Sequence, residues 1–192
     1  MSNEIEVPGG SVKEKLTPEE ISERTRAAVG YNYEYKDKYL VGREKIREFA
    51  LATQATDPIH FEVEAARAAG YEDIVAPPIF FSLFGIIAHR PLFDEAVVGY
   101  GKGQIMQSEQ KVVFHRPIVA GQVLTCHVHF DSFRQAVGVD MIVTRNEIHD
   151  QHGNHLCSSW TTLVGYSGGG EDDTAGPDFE DALEKVMMHG TA

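Results

Sequence analysis

Thiols are scarce in this chain: Cys126 and Cys157 are the only two cysteines among 192 residues. They lack metal-type spacing, and two thiols do not make a disulfide framework, so a cysteine-based zinc site and a disulfide scaffold are both excluded. The expected location is cytoplasmic. Basic residues are also few, with Lys+Arg 17 against Asp+Glu 29 and a formal net charge of -12. That balance argues against nucleic acid and against an anionic membrane surface as direct partners. A long apolar run is missing too. The uncharged stretch from Ile74 to Ala88 falls short of the roughly 20 residues that a helix needs to cross a bilayer. The segment Met1–Gly10 carries Glu4 and Glu6 and no apolar core, so it does not read as a signal peptide. Nothing resembles a P-loop, a dinucleotide fingerprint or a nucleophile elbow, and no cofactor is expected.

What is present is a chain with 42% hydrophobic residues, enough for one domain with its own core. Residues 1–32 read as an N-terminal extension with a short helix. Thr17 is its cap, Pro18 suits the first helical position, Glu20 reaches back to the cap, and Gly30 ends it. Residues 33–166 form the main domain. Residues 167–192 read as a flexible, Gly-rich and acidic tail with a weak last helix over 178–188.

Within the main domain a short strand is expected around 38–41. A helix follows over 43–53, with Ile46, Phe49 and Ala50 at helical spacing, and another over 62–69, stopped by Gly70. Pro77-Pro78 opens a long apolar helix, about 79–89, which Pro91 closes. Four segments rich in β-branched and aromatic residues come next: 104–117, 123–133, 137–148 and 155–166. Turn-like breaks at 119–122, 134–138 and 150–154 separate them. In the second strand Leu124, Cys126, Val128 and Phe130 alternate with Thr125, His127, His129 and Asp131, the pattern of a half-buried antiparallel strand. Helices followed by antiparallel strands give an α+β chain. The helix carrying Ile79, Phe80, Phe81, Leu83, Phe84, Ile86 and Ile87 is apolar nearly all round and must be enclosed on several sides. A curved antiparallel sheet wrapped around one helix achieves this, and that architecture is the hot-dog fold.

Several separated blocks then fall in a familiar order: Arg43-Glu44-Lys45-Ile46-Arg47-Glu48-Phe49-Ala50, Gly70-Tyr71, Ala76-Pro77, His115-Arg116-Pro117-Ile118-Val119-Ala120-Gly121 and Val143-Thr144-Arg145-Asn146. Together they resemble the MaoC-like dehydratases. More narrowly they resemble the HadA- and HadC-type subunits of the mycobacterial (3R)-hydroxyacyl-ACP dehydratase. The resemblance spans about Tyr33 to Tyr166. It implies a hot-dog fold, a 3-hydroxyacyl thioester on acyl carrier protein or CoA as substrate, and work in fatty or mycolic acid elongation. It also implies a division of labour, in which a HadB-like partner supplies catalysis and the HadA- or HadC-type subunit helps to hold the acyl chain.

Removing water from a 3-hydroxyacyl thioester needs a base for the α-proton, a proton for the leaving hydroxyl, and stabilisation of the thioester oxygen. The resemblance implies a loop motif of the form G-D-x-N-P-[LIV]-H, whose Asp and His move the protons, and a glycine N–H at the start of the central helix. With Pro58-Ile59-His60 as anchor, His60 falls on the catalytic histidine. Asp57 stands where the motif has Asn, Ala55 where it has the catalytic Asp, and Gln54 where it has Gly. Pro78 takes the place of the oxyanion-donating glycine and has no N–H to give. Losing an oxyanion donor costs about 10²–10³ in rate, and losing an acid/base partner about 10²–10⁴. His60 and Asp57 remain the candidate catalytic residues. His60 is a working acid/base or a retained structural histidine, and Asp57 is a replacement partner or a turn former before Pro58.

Ile79, Phe80 and Phe84 are the candidate acyl-chain contacts, with core packing as the alternative. Gly85 admits another element at short range or serves packing. Arg43, Lys45, Arg90 and Arg116 are candidate contacts to an anionic carrier. His127 and His129 share a strand face and His149, His152 and His155 flank a turn. No carboxylate or cysteine completes a metal site there, and none is expected. Three functions compete: a substrate-holding subunit of a heteromeric dehydratase, a self-sufficient homodimeric R-specific enoyl hydratase using His60 and Asp57, and a non-enzymatic acyl-thioester binding module. An uncovered sheet edge and apolar surface predict a dimer joined edge to edge, with a HadB-like subunit or with a second copy.

Overall fold

The computed structural model describes residues 16–97, 99–100, 105–136 and 139–165. The expected loose N-terminal segment and the tail with its last helix lie outside the described residues.

Helix α1 (Pro18–Ala27) starts as its sequence requires. Thr17 Oγ1 accepts from the Glu20 N–H at 3.3 Å while the Glu20 carboxylate accepts from the Thr17 N–H at 2.8 Å, the reciprocal arrangement that satisfies two otherwise unpaired donors. The helix buries Ile21, Ser22 and Thr25. It is tied to the strand behind it: Gln135 Nε2 donates to Ser22 Oγ at 2.8 Å, and the Gly30 N–H donates to the Phe130 carbonyl at 2.9 Å.

Two short strands follow, β1 (Asn32–Glu34) and β2 (Tyr39–Leu40), then α2 (Arg43–Ala52). β1 was not legible in the sequence. A 3-10 turn spans Pro58–His60, α3 covers Val63–Ala68, and a second 3-10 turn, Pro78–Phe80, runs into α4 (Phe81–Ala88). The expected stop at Pro91 is a junction instead. Pro91 opens a further short helix, α5 (Arg90–Glu95), because proline is tolerated in the first turn, where its missing N–H has no helical partner.

Four long strands complete the domain: β3 (Ile105–Phe114), β4 (Val123–Ala136), β5 (Val139–His149) and β6 (His155–Gly165). The sheet order is β1-β4-β5-β6-β3, with β2 also paired to β4, and all pairings are antiparallel. The break expected at 134–138 is shorter, because Arg134, Gln135 and Ala136 still pair with Met141, Asp140 and Val139. The sheet wraps around the 78–88 helical segment in the hot-dog arrangement. Phe80, Phe81, Phe84 and Ala88 from the helix join Leu124, Cys126, Val128, Phe130, Ile142 and Ile148 from β4 and β5 in one core. Aromatic contacts fix the helix: Phe80 meets Phe49 edge-on with ring centroids 5.3 Å apart, and Phe84 meets Tyr39 in a tilted pair at 5.6 Å. Burying an aromatic side chain of this kind contributes about 1.5–3 kcal/mol.

Two surfaces stay open. β3 is the last strand of the sheet, and its Met106, Val113 and Phe114 are exposed. On the neighbouring helical segment Ile79 and Ile86 are exposed as well, at 53% and 57%. Apolar residues of this size on one edge and one helix form a face that a partner would cover.

Candidate functional site

The loop that carries His60 is built from the end of α2. Gln54 closes that helix with φ 56°, a left-handed backbone that a glycine adopts without the Cβ penalty. Gln54 is the residue aligned with the motif's glycine, and its backbone conformation is one that glycine favours. The next turn is set by Asp57. Its Oδ1 accepts from the Ile59 N–H at 3.1 Å, capping the Pro58–His60 turn. The Asp57 side chain is exposed and engaged in that local bond.

His60 itself is 8% exposed. Its Nδ1 lies 2.7 Å from the Val75 carbonyl oxygen. A carbonyl only accepts, so Nδ1 donates to it and the ring is held in one orientation. Val75 is held in turn by the Ile59 carbonyl, which accepts from the Val75 N–H at 3.0 Å. The loop thus presents an oriented imidazole whose Nε2 is free of that bond. At the position of the motif's acid stands Ala55, whose N–H is spent on the Ala50 carbonyl at 2.8 Å. At the helix start Pro77 is buried and Pro78 begins the 3-10 turn.

The substrate-contact candidates separate into two groups. Phe80 and Phe84 are 1% and 3% exposed and face the β2 and β4 side of the core. Ile79 is on the surface. A cleft of about 460 Å³ opens on a different face of the same helix, between α4, the start of α5 and the inner sides of β3, β5 and β6. Its walls are Phe81, Ile86, Phe93 and Leu163 together with Gln107, Gln110, Asn146 and Thr161. This size suits a small ligand. None of Ile79, Phe80 and Phe84 lines it.

Sequence reasoning missed the residues at the cleft floor. β5 alternates Ile142, Thr144, Asn146 and Ile148 on its inner face, all buried. The signal was two polar residues in register with two isoleucines on a strand facing an apolar helix. Thr144 Oγ1 lies 3.0 Å from His89 Nε2. Burial pushes the His89 imidazole down from 6.5 to about 4, so it is neutral at pH 7. Gly85 faces Asn146: a Cβ added there would lie 3.2 Å from Asn146 Nδ2. The expected close approach at Gly85 is therefore made by an amide.

The carrier-contact candidates are largely occupied. Arg43 makes a two-pronged pair with Asp73, at 2.9 and 2.6 Å. Lys45 pairs with Glu48 at 3.0 Å, and Arg90 reaches Asp94 at 3.9 Å. Arg116 is exposed. Four histidines cross the outer face of the sheet. His127 meets His149 edge-on at 5.6 Å, His149 stacks on His155 at 4.7 Å, and His155 lies 4.3 Å from His115. Stacked rings do not aim their nitrogens at one point, and among the described residues no group of His, Cys, Asp or Glu is placed to hold a metal ion. Both cysteines are free and buried, and burial pushes each thiol up to about 12.

A helix enclosed by an antiparallel sheet, beside a loop that carries a buried His60, leads to a known family. Residues 27–159 match the FAS1-like, dehydratase domain region. The chain belongs to this dehydratase family. A UPF0336 protein of Mycobacterium leprae is 43% identical over 149 residues, covering 77% of this chain and 94% of that protein. Among solved structures, a MaoC-like dehydratase is 39% identical with a TM-score of 0.70, covering 74% of this chain and 43% of that longer one. The C-terminally truncated HadBC (3R-hydroxyacyl-ACP dehydratase) complex of Mycobacterium tuberculosis is 34% identical with a TM-score of 0.66, over 71% of this chain and 96% of the compared one. The MaoC-like dehydratase resemblance of the sequence is thereby established, together with the hot-dog fold that it implied. Among the described residues no helix is long and apolar enough to cross a membrane.

Proposed function

We infer that this chain is the acyl-holding, HadA- or HadC-like subunit of a (3R)-hydroxyacyl-thioester dehydratase and works with a HadB-like catalytic partner. The observation that carries this reading is the one-sided His60 loop. The imidazole is oriented by Val75, but Ala55 stands opposite the motif's acid, Asp57 is engaged in capping its own turn, and Pro78 has no N–H for the oxyanion. A base without its acid and without the oxyanion donor supports binding better than turnover. The open β3 edge and the exposed Ile79 and Ile86 support a partner subunit. The thioester comes from acyl carrier protein or CoA, and the setting is fatty or mycolic acid elongation in the cytoplasm.

The experiment is a trans-2-enoyl-thioester hydration assay on the purified chain, alone and after mixing with a HadB-like subunit, with native mass spectrometry on the same samples. The reading expects negligible turnover alone, a stoichiometric complex, and turnover in the complex. Robust turnover by the lone chain that disappears in His60→Ala would support the homodimeric hydratase using His60 and Asp57 instead. Binding of acyl-CoA with no complex and no turnover would leave a non-enzymatic binding module.

A further inference from the structure

Four imidazoles form a continuous row across the outer face of the sheet. His127 on β4 meets His149 on β5 at 5.6 Å, His149 stacks on His155 of β6 at 4.7 Å, and His155 meets His115, the residue after β3, at 4.3 Å. The charges around the row are unevenly placed. At the β4 end Glu34 Oε2 lies 3.2 Å from His127 Nε2, and Glu147 Oε2 lies 3.6 Å from Nε2 of the neighbouring His129. Arg145 is taken up by Asp131 and Glu147, Lys111 sits over the Trp160 ring at 5.1 Å, and Asp150 accepts from the His152 and Asn154 N–H groups. At the β6 end the partners are neutral: His155 Nε2 lies 2.9 Å from Ser158 Oγ and 3.2 Å from the Cys157 carbonyl oxygen. Arg116 stands exposed beside the exposed His115. In the middle, His149 Nδ1 is enclosed and makes no hydrogen bond.

Imidazole changes its charge between about pH 5 and 8. Neutral rings stack freely, whereas two protonated neighbours would set like charges against each other at these short separations. Glu34 can balance a proton on His127. Among the described residues no carboxylate forms an ion pair with His149 or His155. Burial, then the nearness of His155 and His127, pushes the His149 imidazole down, and Glu147 offsets only part of this. The row also stands at the head of a chain of backbone bonds that ends at His60. The His115 and Arg116 N–H groups both donate to the Leu156 carbonyl, at 2.8 and 3.1 Å. Further along, the Ile118 carbonyl accepts from the Ala76 N–H at 2.8 Å, and Val119 bridges to Val75. The Val75 carbonyl is the one that receives His60 Nδ1.

We propose that the histidine row is a proton-operated seam: it is closed while its rings are neutral and parts when protons enter its middle, loosening residues 115–119 and with them the Val75 carbonyl that orients His60. In the closed row His149 refuses a proton that a parted ring accepts near 6.5. Acid therefore favours the parted form, and the seam is fully closed only above that value. The device needs no substrate, so its failure leaves the acyl-holding reading untouched.

The test is hydrogen–deuterium exchange of the full-length chain at pH 7.5 and 5.5, read by mass spectrometry and corrected for the intrinsic rates. One proton taken up on parting, at a reference value of about 6.5, multiplies the opening constant about tenfold between these conditions. Peptides covering 74–76, 115–119 and 155–157 are therefore expected to lose about tenfold in protection, while α2 changes less than about twofold. The double variant His149→Phe with His155→Phe keeps flat rings and removes their charge, and should reduce the loss to less than about threefold. His149→Phe alone should act in the same direction and serves if the double variant fails to fold by circular dichroism. Wild-type protection that ignores pH, a loss that stops short of Ala76, a loss shared equally by α2, or a loss retained in the variants overturns the inference.

Discussion

His89 Nε2 and Thr144 Oγ1 meet at 3.0 Å, joining the end of α4 to the middle of β5. Burial holds the titration of this histidine down at about 4. An unfolded chain binds the proton near 6.5. As pH falls from about 6.5 to about 4, the unfolded state gains a proton that the folded state refuses, and stability declines. The loss attributable to His89 is of the order of 3 kcal/mol, from about 1.4 kcal/mol per unit. Urea unfolding at pH 7, 5.5 and 4.5 should show this slope. His89→Phe should flatten it, and an unchanged slope would remove His89 as its source.

Gly85 and Asn146 form a second coupled pair. Gly85→Ala gains up to about 1 kcal/mol of helix propensity but drives a methyl against Asn146 Nδ2. The single substitution is expected to be destabilising by about 1 kcal/mol. In an Asn146→Ala background the clash disappears, and Gly85→Ala should become neutral or stabilising. A double-mutant cycle in urea should give a coupling above about 0.5 kcal/mol. Additive effects would show that Asn146 yields freely.

Two aromatic and aliphatic neighbours on the helical segment should behave oppositely. Phe80 is enclosed between Phe49 and Tyr39, so Phe80→Ala should cost about 3–5 kcal/mol. Ile79 is exposed, so Ile79→Ser should shift thermal stability of the isolated chain by less than about 0.5 kcal/mol. Its effect should appear in association with a catalytic subunit, read by analytical ultracentrifugation. A large melting-point change for Ile79→Ser would place that residue in the monomer core.

Cys126 and Cys157 should resist alkylation. Both are buried and their thiols are pushed up to about 12, so almost no thiolate exists at pH 8. Mass spectrometry after iodoacetamide treatment of native protein should find both unmodified, and both labelled in urea. Rapid labelling of the native chain would mean that the β4–β6 side of the core opens locally.

Much of the architecture was written in short-range chemistry. Thr17, Pro18 and Glu20 specify a helix start by themselves, and the alternation through Leu124, Cys126, Val128 and Phe130 specifies a face. Pro91 and β1 were not legible for the same reason: neither is decided locally. A proline ends one helix or begins another depending on where the chain turns next, and three residues of β1 become a strand only because β4 offers a partner. The site divides in the same way. His60 was singled out because Pro58-Ile59-His60 resembles a loop motif, and Gln54 before it has the left-handed φ of 56°. Asn146 was visible only as one residue of a quoted block. Its meaning depends on Gly85, 61 positions away by the numbering, and such a pairing exists only after the sheet has wrapped around the helix.

The two sides of the sheet are unequal. On one side β1 and β2 contribute three and two residues, and Gly30 and Tyr31 bond directly to Phe130 beside α1. On the other side, among the described residues, the ten of β3 stand without a further strand. Chains that can add strands at both ends can polymerise without limit, whereas a chain with one long free strand is saturated after a single addition. The geometry therefore favours a finite pair over a fibre, whichever chain supplies the second sheet.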